Sequence, residues 1–319
     1  MNCRSAPQPD GAAAAAVGGQ RAVIEMARAL HAAGRAFALA LVVEAHGSTY
    51  RKPGALALVA NDGRQVGVIS GGCLEQGLVT LARDALAAGE PRDTVFDTRA
   101  DDDLIFGSGS GCRGRMRVLA VPVPPGSPCS VLDEILAAHD ARRPARLSLG
   151  TVAPRLQLAG EVTLWPPPLV LLLGAGPEAA PLLRIARTLG WFAWVADHRA
   201  GLLAHDDLHA ADRLIPGRPA AALRALASER FDAVVVMTHT ADNDLAALEA
   251  LASRETGYVG LLGPPARRDE LLARLTDEQR AALAGRLHAP VGLLLGGEGP
   301  EAIALAIVAQ LQQALHRVR

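Results

Sequence analysis

The pattern that most constrains this fold begins at residue 169, where short apolar runs start to alternate with helical stretches. The first run, 169–173, is followed by Gly174-Ala175-Gly176 and by a helical stretch over 178–189. Further apolar runs of strand length lie at 193–196, 233–237 and 258–262. Strands that alternate with helices in this way predict a Rossmann-like, doubly wound parallel sheet.

The first half of the chain predicts a different architecture, an α+β domain. Two apolar runs flank Asn61-Asp62-Gly63, which is a strong hairpin signal. Prolines cluster at 122–128 and again at 166–168, and such clusters are typical of breaks between domains. We therefore expect four segments: a flexible leader (1–20), an N-terminal α+β domain (21–124), a connector (125–168) and a C-terminal Rossmann-like domain (169–319).

Composition excludes several classes of protein. The 32 Lys and Arg residues nearly balance the 33 Asp and Glu residues, so there is no basic excess for binding nucleic acid or an anionic membrane. Four cysteines in 319 residues do not form a disulfide framework and match a reducing cytoplasm. The longest apolar runs are too short to span a membrane. A cytoplasmic protein is expected.

Two of the cysteines are framed by glycines. One motif is Gly71-Gly72-Cys73-Leu74-Glu75, and the other ends in Gly111-Cys112-Arg113-Gly114. Glycine lets the backbone approach a ligand closely, and a thiol among backbone N–H groups suits an anionic or metal-bearing ligand. Alternatively, both cysteines pack as small apolar residues in turns, which is the more common situation for either motif alone.

Polar residues next to these motifs suggest an anion site in the first domain. Gly47 and Ser48 open a loop that continues to Arg51 and Lys52, and hydroxyls beside positive charge can cradle a phosphate. The alternative is an exposed loop. Glu75 stands at a predicted helix start, where the helix dipole alone favours a carboxylate.

The second domain carries a nucleotide-binding pattern. Gly174 and Gly176 fit G-x-G-x-x-A after a strand, and Asp197 ends the next strand, where an acid would meet a ribose hydroxyl. Pro177, however, removes an N–H that a pyrophosphate would use. The turn therefore indicates either a nucleotide site or a Rossmann-like domain that lacks the cofactor.

His239 is the histidine that we favour as a ligand-binding residue. It follows the apolar run 233–237, and polar residues at the carboxyl ends of parallel strands face the usual ligand crevice. The alternative is a helix-capping loop in which Asp242 caps the next helix. Arg267 and Arg268 could hold an anion after the following strand, or form a solvated face.

Taken in order, these motifs resemble those of the XdhC/CoxI family of xanthine dehydrogenase accessory proteins. The resemblance runs from about residue 21 to the last helix. Its first-domain motifs are His46-Gly47-Ser48, Gly71-Gly72-Cys73-Leu74-Glu75 and Gly111-Cys112-Arg113-Gly114. Its second-domain motifs are Gly174-Ala175-Gly176, Asp197-His198-Arg199, Met237-Thr238-His239, Tyr258-Val259-Gly260 and Pro290-Val291-Gly292-Leu293.

The resemblance implies a chaperone that binds molybdenum cofactor and delivers it to a molybdenum hydroxylase such as xanthine dehydrogenase. A cysteine desulfurase would be a further partner, and a homodimer is expected only because symmetric oligomers are common. Cys73 or Cys112 would contact the metal, since thiolates suit soft centres. No catalytic residue is predicted. The remaining predicted cofactor-binding residues are Gly47, Ser48, Arg51, Gly71, Gly72, Glu75, Gly111, Gly174, Gly176, Asp197 and His239.

Two other functions remain open at this point. Gly174, Gly176 and Asp197 alone would fit an NAD(P)-dependent oxidoreductase, although the sequence shows no acid–base pair for hydride transfer. A docking protein that recognises its client without cofactor would need neither Cys73 nor Cys112.

Overall fold

The computed structural model describes residues 18–72, 74–98 and 113–316. They form two compact units, and the chain passes from the first to the second between Pro166 and Pro167. Within the described residues, no helix is both long enough and apolar enough to cross a bilayer.

The first unit is built on a five-stranded antiparallel sheet with the order β3-β2-β1-β5-β4. Its strands are β1 Phe37–Gly47, β2 Leu56–Ala60, β3 Gln65–Val66, β4 Arg92–Asp97 and β5 Gly114–Val123. A separate hairpin consists of β6 Ala145–Ser148 and β7 Glu161–Leu164. The helices are α1 Gly19–Ala32, α2 Glu75–Ala88, α3 Ser130–Asp140 and α4 Leu149–Val152, followed by a 3₁₀ turn at Pro154–Leu156.

The sheet is buried on both faces because successive side chains of its central strand point in opposite directions. Phe37, Leu39 and Leu41 of β1 belong to the core that contains α1 and α3. Ala38 and Ala40 belong to the core on the other face, where α2 packs. The expected α+β domain is confirmed.

Most of the segment assigned by sequence to a connector (125–168) belongs to the first unit, up to Pro166, and carries regular structure there. It includes α3 and the β6–β7 hairpin, and the hairpin alternates buried and exposed positions. Leu147, Val162 and Leu164 are each 5% exposed or less and lie in the same core as α1. This burial couples the hairpin to the N-terminal sheet.

Leu147→Ala is expected to destabilise the first unit by about 2–5 kcal/mol, because it removes buried methyl groups from that core and leaves a cavity. Arg146→Ala, one residue earlier on the exposed face of β6, should change stability by no more than about 0.5 kcal/mol. Urea unfolding of the full chain, followed by circular dichroism, measures both. Equal effects from the two variants would contradict the packing described here.

The second unit is a six-stranded parallel sheet with the order β10-β9-β8-β11-β12-β13, which confirms the doubly wound fold. Its strands are β8 Leu169–Leu173, β9 Phe192–Asp197, β10 Arg213–Pro216, β11 Ala233–Val236, β12 Tyr258–Leu261 and β13 Leu287–His288. Its helices are α5 Ala179–Thr188, α6 Ala200–Leu203, α7 Pro219–Ala225, α8 Ala241–Ala252, α9 Pro265–Arg274, α10 Asp277–Leu283 and α11 Pro300–His316, with a 3₁₀ turn at Asp206–Leu208.

The strand order reverses between β8 and β11. This reversal indicates where on the sheet a ligand would bind. Helices cover both faces of the sheet: α5 and α11 pack against Val170 and Leu172, and α7 and α8 pack against Leu169 and Leu171. In sheets of this kind the ligand crevice lies outside the carboxyl ends of the strands at the point of reversal. Gly174 and Met237 leave β8 and β11 at that point.

Candidate functional site

The first unit has a pocket at the end of its sheet, and several predicted residues meet there. Ser48 and Gly71 line it, and Gly47 precedes Ser48 at the end of β1. Hydroxyl-bearing residues from three separate segments stand around an apolar floor. The full lining is Ser48, Thr49, Tyr50, Ile69, Ser70, Gly71, Leu74, Phe96, Thr98, Gly114 and Met116.

Close backbone approach holds the rim of this pocket together. The Ser48 amide donates to the carbonyl of Arg113 at 3.2 Å. A Cβ at Gly47 would lie 2.8 Å from that carbonyl oxygen, and a Cβ at Gly114 would lie 2.6 Å from the Ser48 carbonyl oxygen. Thr98 secures the other side, since its amide donates to the Gly114 carbonyl at 2.9 Å. Only glycine fits at positions 47 and 114 without displacing backbone.

Ser70 organises the loop before α2, and sequence reasoning missed it. Its hydroxyl oxygen accepts from the amides of Gly72 and Leu74, each at 3.1 Å, and its hydroxyl donates to Glu75 Oε1 at 3.0 Å. Glu75 also accepts from the Ser70 amide and from the Gln65 side chain. The Glu75 carboxylate therefore positions the loop. A serine just before Gly71-Gly72, five residues ahead of a glutamate, was the available signal.

The loop that follows Ser48, predicted to hold an anion, carries two cationic residues, Arg51 and Lys52. The Thr49 hydroxyl donates to the Arg51 carbonyl at 2.8 Å, and Lys52 Nζ donates to Thr49 Oγ1 at 3.3 Å. The Arg51 side chain forms no ion pair with the described residues. Arg51 and Lys52 are close to Ser48 along the chain, but neither lines the pocket.

Three predicted site residues, Cys73, Gly111 and Cys112, lie outside the described residues. Among the residues that are described, no group of three or more His, Cys, Asp or Glu side chains is arranged to hold a metal ion. His205 and His209 flank a 3₁₀ turn, and each contacts an aspartate of that turn.

In the second unit, the glycine turn after β8 touches the loop after β11. Gly174 has φ +125°, and a Cβ there would lie 2.3 Å from the Met237 carbonyl oxygen. Both the left-handed backbone and the contact demand glycine at this position. The predicted nucleotide turn is thus closely packed against the segment that carries His239.

Asp197 is buried beneath this turn and is fully engaged by hydrogen bonds. Its Oδ2 accepts from the Ala175 amide at 2.7 Å and from Arg199 Nη2 at 2.7 Å. Its Oδ1 accepts from the Arg199 amide at 2.8 Å and from Arg199 Nε at 3.0 Å. A ribose hydroxyl would have to displace one of these bonds, so the carboxylate serves the turn itself.

These hydrogen bonds set the pKa of the Asp197 carboxyl. Burial alone would raise the pKa of the Asp197 carboxyl, but hydrogen bonds from the Arg199 side chain and from the Ala175 and Arg199 amides outweigh it and lower the pKa to about 2. A carboxyl whose pKa is lowered by folding stabilises the folded state above its ordinary pKa, and this contribution is lost as the pH falls toward the lowered value.

Asp197→Asn is expected to lower the free energy of unfolding by about 2 kcal/mol at pH 7, because the ionised acceptor is removed. The difference from wild type should shrink as the pH falls from 4 to 2, where the wild-type carboxyl becomes protonated. Urea unfolding followed by tryptophan fluorescence measures it. Asp206→Asn, at an exposed position, is the control. A difference that stays constant down to pH 2 would refute this account.

His239 contacts a buried carboxylate. Its Nε2 lies 3.1 Å from Glu178 Oε2, and the two side chains are 43% and 9% exposed respectively. His239 has φ +63°, which is unusual for a residue other than glycine. A Cβ at Gly176 would lie 2.6 Å from His239 Nε2, so the imidazole covers the glycine turn.

The structure around His239 tests two further expectations from the sequence, that Asp242 caps α8 and that Arg267 is available to an anion. Asp242 does not cap α8: the helix has no side-chain cap, and Asp242 pairs with Arg274 at 3.3 Å. Arg267 is occupied by Asp244, which is completely buried, at 2.6 Å. Asp244 also accepts from the Thr238 hydroxyl at 2.5 Å and from the Thr238 amide at 3.2 Å. This network fixes the residue before His239.

Comparison with known proteins shows that both units match models of the same protein family. Residues 170–311 match the XdhC Rossmann domain, and residues 30–97 match the XdhC and CoxI family. The chain is 31% identical to a xanthine dehydrogenase from Bacillus halodurans whose crystal structure is known, with a TM-score of 0.79 and coverage of 93% of this chain and 96% of that one.

Two further relatives extend over most of the chain. The chain is 29% identical over 316 residues to a probable xanthine dehydrogenase subunit from Bacillus subtilis (strain 168), covering 88% of this chain and 93% of that protein. It is 23% identical over 308 residues to the molybdenum cofactor insertion chaperone PaoD from Escherichia coli (strain K12), covering 91% of this chain and 87% of that protein.

Proposed function

This chain belongs to the XdhC and CoxI family, and on that basis we propose that it binds molybdenum cofactor and delivers it to a molybdenum hydroxylase apoenzyme. Membership confirms the resemblance drawn from the ordered motifs. The observation that carries the proposal is the match to a molybdenum cofactor insertion chaperone along 91% of this chain. An accessory role beside a xanthine dehydrogenase follows from the same family.

The first-unit pocket supports the proposal because its chemistry suits the cofactor. Molybdenum cofactor combines a polar pterin, a phosphate and a soft metal–dithiolene centre. Ile69, Leu74 and Met116 form an apolar floor in a cavity of about 40 Å³, which admits the edge of a ring and not the whole cofactor. Ser48 offers a hydroxyl at its edge, whereas the Ser70 hydroxyl is already bonded to the Gly72 and Leu74 amides and to Glu75. The close backbone approach at Gly47 and Gly114 holds this shape.

We assign the phosphate of the molybdenum cofactor to the loop that follows Ser48. Arg51 supplies five N–H donors in a planar fork, which matches phosphate oxygens, and Lys52 supplies a point charge. Neither cation has a carboxylate partner among the described residues. We therefore assign Arg51 and Lys52 to hold the phosphate while Ser48 orients the ring.

The metal end is assigned to a cysteine. Thiolate sulfur is the protein ligand best suited to a soft metal centre, and the glycine-framed Cys73 and Cys112 are the candidates. Cys129 is a poor candidate, because it is partly buried and burial raises the pKa of its thiol, so that the thiol stays protonated.

The first test is the molybdenum and pterin content of the full chain purified from a host that makes the cofactor. Wild type should carry close to one cofactor per chain. Ser48→Ala should lower the content several-fold, since it removes a pocket hydroxyl that bonds to no described residue. Thr80→Ala, an exposed hydroxyl on α2, is the matched control. A wild-type protein free of cofactor, from a host shown to make it, would overturn the proposal.

Cysteine substitutions test the metal assignment separately. We expect Cys73→Ala or Cys112→Ala to reduce bound molybdenum at least tenfold, and Cys129→Ala to leave it unchanged. Inductively coupled plasma mass spectrometry gives the metal content, and far-ultraviolet circular dichroism confirms that each variant folds. Full molybdenum content in both Cys73→Ala and Cys112→Ala would refute thiolate ligation while leaving cofactor binding itself intact.

A further inference from the structure

We propose that an apolar loop before the last helix docks this chain on the molybdenum hydroxylase apoenzyme that receives the cofactor. The loop comprises residues 292–299, between β13 and α11, and carries Leu294 and Leu295. Together with Leu305 of α11 these leucines form what we call the leucine surface. The inference rests on the proposed function for the identity of the partner, but the surface lies in the second unit, whereas the cofactor pocket lies in the first.

The leucine surface is exposed to an extent that folding alone does not explain. Leu294 is fully exposed, and Leu295 and Leu305 are 53% and 52% exposed. Apolar side chains in water are unfavourable, and adjoining exposed ones on a folded protein typically mark a site of interaction. Leu189 and Leu214, which belong to other elements of the same unit, are about 40% exposed and provide a comparison.

Hydrogen bonds fix the start of the loop against α11. The Leu293 amide donates to the Ala306 carbonyl at 3.1 Å. The Gly292 amide donates to Gln310 Oε1 at 2.8 Å, and the hydroxyl of buried Tyr258 donates to the same oxygen at 2.5 Å. The loop therefore leaves the sheet at a fixed position on the helix.

A second contact fixes the end of the loop one turn earlier on α11. A Cβ at Gly297 would lie 3.1 Å from the Ala302 Cβ, and Gly297 has φ +88°. Leu294 and Leu295 lie between the two anchored ends of the loop. Leu305 lies on the helix between the two anchor points. The three leucines are thus presented by one anchored loop and the helix beneath it.

The size of the leucine surface favours a transient partner over a stable dimer of this chain. A stable interface buries about 800 Å² on each partner and involves about 20–30 residues a side. Three leucines, two of which are half-exposed, supply only a small part of that area. A protein that delivers a cofactor must also release the recipient, so a limited apolar contact suits delivery.

Charges beside the leucines indicate the chemistry of the partner's surface. Glu298 and Glu301 follow the leucines, are both exposed, and form no ion pair with the described residues. Two unpaired carboxylates beside an apolar surface complement an apolar pocket with a basic border. The same carboxylates disfavour an anionic membrane surface.

The test measures binding of the full chain to xanthine dehydrogenase apoenzyme of the same organism, prepared without molybdenum, by biolayer interferometry. Wild type should bind reversibly, and the double variant Leu294→Ser/Leu295→Ser should weaken binding at least tenfold, because it removes the apolar anchor. The double variant Leu189→Ser/Leu214→Ser changes the same number of exposed leucines elsewhere in the unit and should bind as wild type does. Circular dichroism confirms that both variants fold.

The glutamates provide a second readout. The double variant Glu298→Gln/Glu301→Gln should weaken binding a few-fold at low salt and reduce its dependence on salt, because fewer charge pairs remain to be screened. The Leu294→Ser/Leu295→Ser variant should keep the molybdenum and pterin content of wild type while it no longer activates the apoenzyme. This combination separates docking from cofactor binding.

Three results would overturn the inference: no binding of wild type to the apoenzyme at high micromolar concentration, equal binding by wild type and the Leu294→Ser/Leu295→Ser variant, or a wild-type dimer in sedimentation that this variant converts to monomers. The last result would assign the surface to a second copy of the chain. Wild type that binds the apoenzyme through these leucines but carries no cofactor would overturn the proposed function and leave the docking surface intact.

Discussion

Each unit is organised around one central strand whose two faces are both buried. In the first unit β1 sends Phe37 and Leu39 into one core and Ala38 into the other. In the second, β8 does the same with Leu169 and Val170. A strand packed on both faces cannot carry a polar site along its length, because buried polar groups without partners are costly. Polar chemistry is therefore displaced to the points where the chain leaves these strands.

Both candidate sites lie at those exits, and glycine makes both possible. Gly47 ends β1 and brings Ser48 against the Arg113 carbonyl, and Gly174 follows β8 and meets the Met237 carbonyl. A rigid strand fixes the position of each loop, while a glycine allows a second backbone segment to approach within van der Waals distance. Site geometry in this protein thus depends on the packing of two apolar strands.

The carboxylates in these loops hold the backbone in place through hydrogen bonds, and they are not free to offer their charge to a ligand. Glu75 accepts from Ser70 and Gln65, Asp197 accepts from Ala175 and Arg199, and Asp244 joins Thr238 to Arg267. From the sequence, Glu75 and Asp197 were both candidates for binding a ligand. Glu178 differs, because its one described hydrogen-bond partner is the half-exposed imidazole of His239.

The fold class, the positions of both glycine turns and the family could all be predicted from the amino-acid sequence. Strand–helix alternation after residue 169 is a local pattern with a fixed period, and the demand for glycine is written into single residues. Which of the predicted site residues are free to bind a ligand became clear only from the folded structure. Ser70 and Gln65 capture Glu75, Glu178 meets His239 from 61 positions away, and the 145–164 hairpin joins the first core. Such pairings depend on long-range packing, which no local pattern encodes.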